Sequence, residues 1–131
     1  MKTSLFLLIF GLTTLLCKGQ NNFNQTQAQI AQQFAAYGDK SYTVQILDDG
    51  KTYMMYDNPG ISSIIFRFDF NGKCEAIIRT YQLHELFIAD LAADMKKYVY
   101  NSSTGKLQDA SGAYAEYDQK NKIIFHFRPR N

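Results

Sequence analysis

The sequence predicts an α+β domain: an antiparallel β-sheet of hairpins with two helices packed on one face, in the order α-β-β-β-β-α-(β)-β-β. Three observations carry that expectation. Two stretches repeat apolar residues at the spacing of a helix face, and several others alternate apolar and polar residues with the period of a half-buried strand. Short turns rich in Gly, Asn and Asp join the alternating segments, and such tight connections oblige neighbouring strands to run antiparallel.

The domain is preceded by Met1-Lys2-Thr3-Ser4 and an apolar run over residues 5–16, broken by Gly11, Thr13 and Thr14. One positive charge, about a dozen mostly apolar residues and then small and polar ones is the layout of a secretory signal peptide. The run is shorter than the ~20 apolar residues that a spanning helix needs. Residues 1–19 are therefore expected to be a signal peptide and residues 20–131 a single α+β domain. Cys17 and Gly19 place small residues where cleavage before Gln20 asks for them. The lesser alternative is a lipid anchor through Cys17, which the bulky Leu16 before it disfavours. The expected address is exported, periplasmic or extracellular, with no membrane span after cleavage.

After the polar start Asn21-Asn22-Phe23-Asn24, Asn24 can cap a helix over residues 25–37. Ile30, Phe34 and Tyr37 share its apolar face and Gly38 stops it. Tyr42, Val44 and Ile46 alternate with Thr43 and Gln45, and Asp49-Gly50 turns that strand into 52–56. Asp57-Asn58-Pro59-Gly60 is the next turn. Strand 61–69 then returns as 73–81. A three-residue loop with Gly72 left-handed pairs Phe68 with Cys74, Phe66 with Ala76 and Ile64 with Ile78. That register also sets Arg67 against Glu75 and Asp69 against Lys73, opposite charges that each contribute ~0.2–1 kcal/mol.

Residues 83–98 read as an amphipathic helix with Phe87, Ile88, Leu91, Met95 and Tyr98 inward, and Glu85, Asp90, Asp94, Lys96 and Lys97 mostly elsewhere. Residues 101–112 are polar and turn-rich, with a short strand around 106–108. In the closing hairpin, 113–118 with 122–127, a left-handed Asn121 pairs Ala113 with Phe127, Ala115 with Phe125 and Tyr117 with Ile123. No internal repeat or linker divides the chain.

Lys2 and Lys18 lie in the expected leader, so the rest of the chain carries twelve basic and twelve acidic residues. Neither that balance nor the spacing of the cations supplies the basic cluster that a nucleic-acid binder needs. After cleavage Cys74 is the remaining cysteine, and the register points it into the core, where a thiol is inert. His84-Glu85 begins like a zinc-protease helix, but Ile88 stands where the second histidine would be. His84 is thus expected to be solvated, and neither a metal nor another cofactor is expected. Asp48-Asp49 reads as turn chemistry, Asn101-Ser102-Ser103 matches a glycosylation sequon, and Arg128-Pro129-Arg130 is a short basic tail. In the chosen register His126 falls opposite Tyr114 on the non-core face, beside Glu116. Tyr114, Glu116 and His126 are therefore the candidate binding patch.

The leader, the stretch Phe66-Arg67-Phe68-Asp69-Phe70-Asn71-Gly72-Lys73-Cys74, the following amphipathic helix and the closing hairpin together resemble uncharacterised small exported proteins of bacteroidete bacteria. The resemblance implies a bacterial envelope address and lends no catalytic residues. The function expected is that of a non-enzymatic protein-binding or accessory domain of the envelope, inhibitor- or immunity-like in one version. Its partner would be an envelope protein. The alternatives are a small-ligand-binding periplasmic domain, using space between helix and sheet, and an enzyme using Cys74 with His84 or His126.

Overall fold

The computed structural model describes residues 22–130, so the expected leader, its cleavage site and Cys17 lie outside the described residues. Helix α1 (Gln27–Ala36) starts at Thr26, whose hydroxyl accepts from the Gln29 amide at 3.2 Å while the Gln29 side chain accepts from the Thr26 amide at 2.9 Å. This reciprocal box satisfies two amides that a helix start otherwise leaves open. It replaces the expected Asn24 cap. Asn24 instead has φ +67 and donates its amide to the Cys74 carbonyl at 2.8 Å. Gly38, at φ +90, ends the helix as expected.

Four strands follow as a meander: β1 (Thr43–Ile46), β2 (Thr52–Asn58), β3 (Ser62–Phe68) and β4 (Cys74–Tyr81). Helix α2 (His84–Lys97) leads to a second meander of β5 (Val99–Asn101), β6 (Lys106–Gln108), β7 (Tyr114–Asp118) and β8 (Ile123–Phe127). All eight form one antiparallel sheet in the order β1-β2-β3-β4-β8-β7-β6-β5. Each half is a helix followed by four strands that step from an edge to the centre, where β4 meets β8. The repeat is one of topology. β5 and β6 have three residues each while β2 and β3 have seven, which hides it from the sequence.

Both helices cover the same face. Ile30 and Phe34 of α1 pack on Met54, Tyr56, Ile64, Phe66 and Ile77, and Phe87 and Leu91 of α2 pack on Tyr81 and Ile124. Phe34 stacks on Tyr56 with ring centroids 4.1 Å apart. The inward face of α2 is turned relative to expectation. Asp94 is buried there with Phe87 and Leu91, whereas Ile88 and Met95 are exposed.

Two registers also differ from expectation. Phe68 does pair with Cys74, but an irregularity follows, and Phe66 pairs with Ile77 and Ile64 with Arg79 rather than with Ala76 and Ile78. Glu75 is the extra residue of this β-bulge. Its carboxylate lies 2.7 Å from Arg67 Nε and 2.6 Å from Lys51 Nζ, so the expected Arg67–Glu75 ion pair forms. In the closing hairpin it is Lys122, not Asn121, that is left-handed, at φ +56. Tyr114 then pairs with Phe127, Ala115 with His126 and Tyr117 with Ile124, one residue away from expectation. A one-residue slip exchanges the two faces of a strand. His126 therefore points toward the helices, and Phe125 and Phe127 point away from them.

Candidate functional site

The face opposite the helices carries two cross-strand rows. One runs Met55, Ile65, Ile78 and Phe125 across β2, β3, β4 and β8. The other runs Tyr53, Arg67, Ala76, Phe127 and Tyr114 from β2 to β7. Apart from buried Ala76 and Tyr114, these side chains are half-exposed. Phe125 and Phe127 are stacked with centroids 6.2 Å apart, and Phe127 and Tyr114 with centroids 4.8 Å apart. Among the described residues no helix covers this strip, and a contiguous apolar surface of this kind marks an interaction site more often than a scattered exposed residue does.

Cations frame the strip. An open depression of about 670 Å³ is lined by Lys51, Arg67, Arg128 and Arg130, with Glu75 as its carboxylate and Tyr114 and Phe127 as its aromatic wall. Arg67 lies over the Phe127 ring at 5.8 Å, and Lys106 and Arg130 lie over the Tyr114 ring at 3.9 and 5.6 Å. Arg128 is held by Asp69 at 2.8 Å and by Asn24 at 3.0 Å. The fold thus gathers cations that are scattered along the chain, and the expectation of no basic cluster is corrected to that extent. Several are already paired or stacked, so their side chains are partly positioned before any partner arrives.

The expected patch of Tyr114, Glu116 and His126 is divided. Tyr114 and Glu116 lie on the uncovered face, Tyr114 within the strip and Glu116 beside Phe125. His126 lies on the helix-covered face and is fully buried. Its Nε2 is 2.8 Å from Asp94 Oδ1, and Tyr117 donates to Asp94 Oδ2 at 2.7 Å. Tyr98 stacks on the imidazole with centroids 4.9 Å apart. Burial lowers the His126 pKa, with the Asp94 hydrogen bond offsetting part of that shift. Burial alone would raise Asp94, but the hydrogen bonds from His126 and Tyr117 bring its carboxyl below the usual range. A neutral imidazole donating Nε2–H to an ionised carboxylate satisfies both directions. Sealed by Tyr98 and α2, the pair ties the helix to the sheet.

Cys74 is buried, its sulfur donates to the Ala76 carbonyl at 3.6 Å, and burial pushes the thiol up to about 12. At neutral pH it is protonated, so it lacks the thiolate that a nucleophile needs. A thiol-specific reagent such as an aromatic disulfide is expected to leave Cys74 of the native protein unlabelled and to react with it after unfolding. Rapid labelling of Cys74 in the native protein would show it to be accessible and activated.

His84, the first residue of α2, is exposed, as expected. Among the described residues no three His, Cys, Asp or Glu side chains are grouped to hold a metal ion, and no helix is long and apolar enough to cross a membrane. Asp49 accepts from the Lys51 amide and from the Tyr53 hydroxyl, consistent with turn chemistry. Asn101 is exposed at the end of β5. No family model, no curated protein and no solved structure matches the chain.

Proposed function

We propose that this chain is a non-enzymatic protein-binding or accessory domain of the bacterial envelope, and that its uncovered sheet face is the binding surface. The observation that carries the reading is the half-exposed row of Met55, Ile65, Ile78 and Phe125 beside a depression with four cations and one carboxylate. Aromatic side chains and arginine are the residues enriched at the centres of interfaces, where they supply most of the binding energy. The excess of positive charge selects an acidic partner and steers its approach. Export is the reading of residues 1–19, and it makes the partner an envelope or secreted protein. Occlusion of another protein's cleft, as an inhibitor or immunity protein does, is the version that suits a rigid, broad sheet.

The test is affinity capture from an envelope extract with the tagged wild type and with a Lys106→Glu, Arg130→Glu double variant. Both residues lie over the Tyr114 ring at the surface, so their reversal alters the face while sparing the core. A stoichiometric acidic protein is expected on the wild type, weakened about tenfold or more on the variant because reversal sets like charges together. Equal capture by both proteins would remove the face from the interface. Retention of a single-stranded oligonucleotide with a steep salt dependence would replace the protein partner by a nucleic acid.

A further inference from the structure

The helix-covered side holds a second concavity, independent of the binding face. It is a cavity of about 50 Å³ between α1, α2 and the strands β2 to β4. Its apolar walls come from Phe34, Tyr56 and Tyr81. Arg79 also lines it and is only 8 % exposed. The carboxylates of Asp39, Asp57 and Asp90 line the same space, with Asp57 exposed and the other two half-exposed. The cavity is therefore lined by a buried cation, itself hydrogen-bonded to Tyr81, and by more accessible anions.

Two of the polar groups are already oriented. Tyr81 donates to Asp90 at 2.7 Å and Ser63 donates to Asp57 at 2.5 Å. Tyr56 is different. It is 3 % exposed, and its hydroxyl has no hydrogen-bond partner. A buried donor left open is costly, and in a residue lining a cavity it marks a position for a ligand atom.

We propose that this cavity binds a small zwitterion, a free α-amino acid of the size of glycine or alanine. The carboxylate would face the Arg79 guanidinium and the Tyr56 hydroxyl, and the ammonium would face the aspartates. Guanidinium and carboxylate are matched in geometry as well as charge. A simple anion would meet three carboxylates, and a simple amine would meet a buried guanidinium. One molecule bearing both charges avoids either conflict. About 50 Å³ limits the ligand to a few heavy atoms.

Thermal unfolding of the purified protein with added glycine, L-alanine, acetate or methylamine tests this, since a ligand that binds the folded state raises the transition temperature. Glycine or alanine is expected to raise it in a saturable way, and acetate and methylamine at the same concentration are not. Tyr56→Phe keeps the ring stacked on Phe34 and removes only the hydroxyl. It is expected to leave the unliganded protein at least as stable while weakening the amino acid by about tenfold, the loss of one hydrogen bond to a charged group. Asp39→Asn, at a half-exposed position, is expected to weaken it as well. No response to either amino acid, equal responses to acetate or methylamine, or undiminished binding by Tyr56→Phe would overturn the proposal. None of these outcomes bears on the opposite face, whose test is partner capture.

Discussion

Asp94→Ala is expected to cost about 3–6 kcal/mol of stability, two hydrogen bonds to a charged group at roughly 1.5–3 kcal/mol each. The carboxylate is 8 % exposed and accepts from both His126 and Tyr117, so its loss strands a buried donor and a half-buried one at once. Folded domains of ordinary stability have only about 5–15 kcal/mol in total, so the urea midpoint of the variant should fall by a large fraction. The pH dependence of the wild type has a determined sign. The folded His126 pKa lies below its ordinary value of 6.5, so as pH falls below about 6.5 the unfolded chain takes up a proton that the folded chain refuses. Stability contributed by the neutral histidine is therefore complete above 6.5 and declines below it. Asp94, lowered from 3.8, adds a second loss in the same direction below that pH. His126→Gln can keep a donor near Asp94 without titrating and should flatten the first decline. A variant that keeps the wild-type slope between pH 6.5 and 4 would assign that slope to other groups.

Phe66→Ala should be the comparable loss within the apolar core, about 3–5 kcal/mol. Phe66 is fully buried on the interior strand β3, where it pairs with Met54 on one side and Ile77 on the other. Its ring meets the edge of Phe34 at 5.6 Å, so truncation empties the space through which α1 is held to the sheet. The neighbouring Phe70 is a control of equal chemistry. It is 76 % exposed and touches Lys51 only as a cation over its ring, so Phe70→Ala should cost less than about 1 kcal/mol. Urea unfolding of the two variants compares them directly. A small loss for Phe66→Ala would contradict the inward placement of the even-numbered residues of β3.

The elements were legible because their signals are local. Asp49-Gly50, Pro59-Gly60 and Asn71-Gly72 hold left-handed glycines that only such turns require, and all three glycines have positive φ. Register was legible only in part, for a physical reason visible at Glu75. A single register cannot place both Cys74 and Ile77 inward, so the chain inserts a bulge: Phe68–Cys74 keeps the expected register, and every pair from Arg67–Ala76 onward is shifted by one residue. At the closing hairpin, Ile123, Phe125 and Phe127 make the more apolar alternation, and hydrophobicity alone sends them to the core. Ile124 and His126 go there instead because Asp94 supplies the partner that makes an inward histidine tolerable. The spacing Phe87, Leu91, Asp94, Tyr98 held that signal, a carboxylate on the apolar face of a helix, and it was legible only alongside a partner far away in sequence. The strip itself depends on the contact between β4 and β8, which joins the two meanders, and no local pattern announces it.

Met54 and Met55 allow the most direct test of the sheet's two faces and of the role given to the uncovered one. Met54 is fully buried beneath α1, while Met55 is half-exposed on the opposite face, and Met95 is exposed on α2. Exposed methionine converts to the sulfoxide more readily than a buried one. Mild peroxide treatment followed by mass spectrometry should modify Met55 and Met95 and spare Met54 in the free protein. Once the captured partner is bound, Met55 alone should become protected. Oxidation of Met54 as fast as Met55 would contradict the faces, and an unchanged Met55 rate in the intact complex would contradict the proposed binding surface.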